Sequence, residues 1–89
     1  MKKYSNPEKK ARISSKNLES LFLVNDNYNS FDHVIDCLTA ICDHDIIQAE
    51  QCALITHYKG KCKIMSSSRD ELMPIKEDLA LYGLNVEIS

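Results

Sequence analysis

Apolar residues along this chain change their spacing at every polar break, and that pattern limits the fold more than any single residue does. Leu21-Phe22-Leu23-Val24 is a consecutive run closed by Asn25-Asp26-Asn27, as expected of a buried strand ending in a polar turn. Phe31, Val34, Ile35, Leu38, Ile41 and Cys42 then fall on one face of an amphipathic helix. Asn29 is placed to cap that helix, with Asp32 at its third position, where a carboxylate favours the helix dipole. Asp43-His44-Asp45 breaks it, and Asp45 with Gln48 opens a second helix in the manner of a capping box. Ile46, Ala49, Ala53 and Thr56 are expected along one side of this second helix, which Gly60 stops. Lys61-Cys62-Lys63-Ile64-Met65 alternates as a half-exposed strand does. Ser68 and Glu71 form another capping box, and Leu72, Ile75, Leu79 and Tyr82 carry a third helix up to Gly83. Pro74 removes one backbone bond and is expected to tighten or kink the first turns. Leu84, Val86 and Ile88 alternate in a closing strand. The order strand, helix, helix, strand, helix, strand predicts an α+β fold: a three-stranded antiparallel sheet packed against three helices.

At 89 residues the chain holds one domain, with little stability to spare and no room for a deep, elaborate active site. Residues 1–18 are polar, lack apolar periodicity and are expected to form a flexible basic N-terminal extension, leaving residues 19–89 as the folded domain. There is no run of about 18 apolar residues to span a membrane. The opening MKKYSNPEKK has basic residues without a following apolar segment, so no secretory signal is read and a cytoplasmic protein is expected. Cys37, Cys42, Cys52 and Cys62 lack the tight pairs of a zinc site, and nothing suggests the oxidising compartment that a disulfide scaffold needs. Buried thiols acting as small hydrophobes are expected instead, with no metal and no cofactor.

Charge divides the chain. Residues 1–18 carry six basic residues against one acidic, a net +5, and the remainder carries five against twelve, a net −7. A basic tail can point to nucleic acid, but this one has a single tyrosine and no recognisable motif. Neither nucleic acid nor membrane is therefore expected as a partner. The acidic body suits a positively charged ligand, the α-ammonium of a peptide among them.

The stretch Asn25-Asp26-Asn27-Tyr28-Asn29-Ser30-Phe31-Asp32-His33-Val34-Ile35-Asp36 resembles the ClpS signature around N-D-D-Y-T-P-x-E-F-V, and Thr56-His57-Tyr58-Lys59-Gly60-Lys61 resembles that family's V-H-x-x-G-K segment. The separation from Val34 to His57 fits the family without a gap, and the resemblance runs over residues 20–88. It implies a fold like that of ClpS and of the ribosomal protein L7/L12 C-terminal domain. It also implies an adaptor that holds the free N-terminal residue of a substrate and delivers it to the N-terminal domain of a ClpA- or ClpC-like AAA+ unfoldase. In the family a flexible N-terminal extension is needed for that hand-over.

By the same resemblance Asn25 and His57 contact the α-amino group. Asp26 assists there or at the next peptide, and the backbone near Asn27 and Asn29 steadies the second residue. Phe31, Val34, Ala53 and Thr56 wall the side-chain pocket. These residue types suit the task, since an ammonium brings three donors and no acceptor and charge-assisted hydrogen bonds are the strong kind. Five positions depart from the family pattern: Asn27 replaces an acidic residue, Asn29 a threonine, Phe31 and Ala53 methionines, and Thr56 a valine.

The expected protein is thus a binding module, not an enzyme, and a monomer. The alternative is a degenerate ClpS-like domain that docks on the unfoldase and modulates it without binding N-degrons. Catalysis by His57, Asp26 and a cysteine is disfavoured, because Cys37, Cys42 and Cys52 lie in apolar helix patterns where thiols are inert. The chain also has only two glycines from which to build an oxyanion or phosphate loop. His33 and His44 have no supporting motif and are read as surface or boundary residues.

Overall fold

A computed structural model describes residues 18–89. The basic extension expected over residues 1–18 lies outside that range, except for Leu18, which opens the first strand. Strand β1 spans Leu18–Val24, helix α1 Phe31–Ile41, helix α2 Ile46–Lys59, strand β2 Lys61–Ser68, helix α3 Arg69–Leu81 and strand β3 Val86–Ile88. β1 is the central strand, antiparallel to β2 on one side and to β3 on the other. Element types and order agree with the expected α+β fold. The core is one cluster in which Leu21 and Leu23 of β1 meet Leu38 of α1, Ala49 and Cys52 of α2, and Leu72 and Leu79 of α3. Phe22 lies on the opposite side of β1 and is only half-buried. The run 21–24 therefore buries one face of the sheet rather than both.

Side-chain caps set most boundaries. Asp45 accepts a hydrogen bond from the Gln48 N–H at 2.8 Å, and Gly60, at φ 97°, closes α2 in the left-handed region as expected. α3 ends in a Schellman motif: the Leu84 N–H donates to Leu79 O at 3.1 Å and the Gly83 N–H to Ala80 O at 2.9 Å. Leu84 and Leu79, the apolar pair of that motif, are both buried. α3 runs unbroken through Pro74, whose missing donor falls on an exposed stretch one turn into the helix.

Four local expectations change, one of them being that Leu84, expected in the closing strand, lies before β3 in the turn that ends α3. The cap of α1 is Ser30, not Asn29: the Ser30 hydroxyl accepts from the His33 N–H at 3.1 Å, which puts Asp32 at the second helical position. Ile46 is exposed, and Cys52 joins Ala49, Ala53 and Thr56 on the buried side of α2. β2 runs three residues further than its alternation indicates, to Ser68, and contains a bulge. Leu21 pairs with Met65 and Phe22 with Lys63, so Ile64 is the extra residue. Its carbonyl lies 3.2 Å from His44 Nε2. A carbonyl can only accept, so Nε2 carries the proton, and His44 compensates a group that a regular ladder would have paired.

Candidate functional site

The loop between β1 and α1 is laced to three other parts of the chain by main-chain and side-chain bonds. The Asn25 N–H donates to Gly60 O at 2.9 Å, and the Val24 N–H to Asn85 O at 2.8 Å. Because Gly60 closes the helix that carries His57, the first of these bonds brings Asn25 beside the end of α2. Asn29 supplies the third tie. Its amide donates to Gly83 O at 2.9 Å, the carbonyl that follows the end of α3. That is why Asn29 leaves the capping of α1 to Ser30.

Asp26 organises the loop from within. Its Oδ1 accepts from the Tyr28 N–H at 2.9 Å and the Asn29 N–H at 3.0 Å. Its Oδ2 accepts from the Asn29 amide at 2.8 Å. Burial acts to raise the pKa of this carboxyl, but the bonds from Asn29 and Tyr28 outweigh it and hold the group below the usual carboxylate range. A carboxylate has about four lone-pair sites. Asp26 therefore spends most of its accepting capacity on the loop and retains a full negative charge at its mouth.

The loop, the start of α1 and the last turns of α2 enclose a cavity of about 320 Å³. Asn25, Asp26, Asn27, Asn29 and His57 line its polar part. Phe31, Val34, Ala53 and Thr56 line the remainder. All nine residues singled out in the sequence thus meet at one cavity. Two more wall residues, Leu23 and Val24, were not anticipated. The apolar run marks them only as strand core, although their position directly before Asn25 on the strand places them there. The signature tyrosine, Tyr28, is not part of the cavity lining: it is 94% exposed. A second, more open groove of about 250 Å³, between α1 and Tyr82, includes His33 and Cys37 but none of the nine.

The His57 ring stands edge-on to Phe31, with centroids 5.7 Å apart, and to Tyr58 at 5.0 Å. These edge contacts favour that ring orientation, the ring is exposed, and no hydrogen bond joins it to another described residue. Its acceptor nitrogen is therefore available. Thr56 is buried, and its Oγ1 has no hydrogen-bond partner.

His33 and His44 serve the fold. His33 Nε2 lies 2.7 Å from Tyr82 O, tying α1 to the end of α3, and His44 supports the β2 bulge. The four cysteines are free thiols, two buried and two partly so. Burial, followed by neighbouring thiols, pushes Cys42 up to about 11 and Cys52 to about 12, so neither supplies a thiolate nucleophile at neutral pH. Among the described residues no group of three or more potential metal ligands comes together, and no helix is long and apolar enough to cross a membrane.

Comparison with known proteins bears on the family and the fold. The family model described as ATP-dependent Clp protease adaptor protein ClpS matches residues 14–87. No curated protein matches the chain. Among solved structures, that of Agrobacterium tumefaciens ClpS2 bound to L-phenylalaninamide is similar with a TM-score of 0.75. The two share 17% sequence identity, over 82% of this chain and 98% of the other. At that identity the likeness speaks for the fold.

Proposed function

The chain belongs to the ClpS family of Clp protease adaptors, and from that premise we propose that it captures proteins by a free, bulky hydrophobic N-terminal residue. It then delivers them to the N-terminal domain of a ClpA- or ClpC-like AAA+ unfoldase in the cytoplasm. The observation that carries this reading is the meeting of an acceptor-rich mouth and an apolar wall in one cavity. Asn25 and His57 offer neutral acceptors to the three donors of an α-ammonium, and Asp26 offers its charge. The backbone about Asn27 and Asn29 steadies the second residue. Phe31, Val34, Ala53 and Thr56 receive the first side chain, whose burial contributes about 1.5–3 kcal/mol. Selectivity for a chain terminus follows from the same groups. An internal residue brings one amide N–H where the site presents several acceptors, and buried acceptors left without donors are costly. In this reading the protein performs no chemistry on its ligand; it acts as a monomeric binding module. The solved relative that holds L-phenylalaninamide, a free amine on a bulky aromatic residue, is in keeping with it.

Fluorescence anisotropy on paired peptides tests the proposal. A labelled peptide beginning with Phe should bind at micromolar concentrations or below, and the same peptide with one alanine placed before the Phe should lose most of that affinity. Equal binding of the two would contradict capture at the terminus. Failure of both would favour a domain that docks on the unfoldase without holding N-degrons.

A further inference from the structure

Within the apolar wall one atom has no physical reason to be polar. Thr56 is 5% exposed, and its Oγ1 is reached neither by solvent nor by a hydrogen-bond partner. The Cys52 thiol one turn earlier lies near enough to interact with this hydroxyl, but a thiol is a weak partner and no regular hydrogen bond forms. Thr56 also lines the cavity, beside Ala53 and Phe31. A buried hydroxyl left unpaired is a standing cost that a valine of the same shape would not carry. Threonine in a helix divides between two side-chain rotamers that move the hydroxyl relative to the methyl. Since only the weak thiol contact holds the hydroxyl where it is, turning it toward the cavity sacrifices little.

We propose that Thr56 is a specificity residue, which tilts the pocket toward N-terminal aromatic side chains bearing a hydrogen-bonding atom, tyrosine foremost. This rests on the reading of the cavity as an N-terminal-residue pocket. A tyrosine hydroxyl that enters an all-apolar pocket loses its water and gains nothing. In this pocket it meets Oγ1, and two unsatisfied groups pair at once. The preference therefore comes from one hydroxyl–hydroxyl contact and is separate from shape, to which threonine and valine contribute almost equally.

The test compares peptides identical except for a first residue of tyrosine or 4-methylphenylalanine, which has nearly the same outline without the hydroxyl. Anisotropy titrations are run on the full chain, on Thr56→Val and on Thr56→Ser, with each variant's fold checked by circular dichroism. The affinity ratio of the tyrosine to the methyl peptide should fall about three- to tenfold on going to Thr56→Val, the size expected of one neutral hydrogen bond. Thr56→Ser, which keeps the hydroxyl, should retain the original ratio. An unchanged ratio in Thr56→Val, with both peptides still bound, would overturn this inference and leave N-terminal capture standing. Loss of every peptide from the unmodified protein would overturn both.

Discussion

His57 has one ring nitrogen to offer as an acceptor and two aromatic neighbours that favour its orientation. Its contribution to the proposed site depends on that nitrogen being unprotonated. Replacing it in His57→Ala removes one charge-assisted hydrogen bond and should weaken a Phe-first peptide about tenfold or more, as read by anisotropy. An unchanged affinity would take His57 out of the site. Acid should act in the same direction. The Asp26 carboxyl, held below the usual carboxylate range by the bonds from Asn29 and Tyr28, keeps the charge it offers an ammonium until the pH falls below that range, and affinity should fall there. Asn29 illustrates what remains hidden at this scale. Its sequence position makes it the natural cap of α1. The acceptor that draws it away, Gly83 O, lies 54 residues along the chain and cannot be read from local pattern.

Among the elements, the two ends of α2 were legible, because a capping aspartate and a left-handed glycine act through their nearest neighbours, although its buried side differs from the expected one at Ile46 and Cys52. The strands were less so. Alternation in β2 is visible through Met65 and fades in Ser66-Ser67-Ser68, yet pairing with β1 continues to Ser68, because a ladder partner rather than residue type decides where the strand ends. The bulge at Ile64 leaves no local mark in the sequence, since it arises from register between two strands far apart in the chain. His44 looked idle for the same reason. Its bond to Ile64 O makes it a fold residue, and His44→Ala should cost about 1–2 kcal/mol in urea unfolding. It should do so with peptide affinity unchanged under conditions where the variant is folded. A large loss of affinity without loss of stability would place His44 in the function instead.

For the whole molecule, the three ties of the β1–α1 loop matter more than any one of them. Asn25 to Gly60, Val24 to Asn85 and Asn29 to Gly83 join the loop to the ends of α2 and α3 and to the approach of β3. A mouth built this way is preorganised, and little ordering remains to be done when a ligand arrives. Eight of the nine residues expected at the cavity lie in two short segments at a fixed separation, and the ninth, Ala53, lies about one helical turn before the second. What those segments could not convey is how the fold brings them into register, or that Leu23 and Val24 complete the wall. The surrounding body carries a net −7 over residues 19–89, which favours approach of a cationic terminus. Removing that one charge from the ligand, and nothing else, addresses the central claim most directly. A Phe-first peptide and its N-acetylated twin should be titrated side by side at neutral pH and moderate salt. The free amine should bind at micromolar concentrations or below, and acetylation should abolish binding at every concentration reached. Comparable binding of the acetylated peptide would contradict recognition of a free N-terminus.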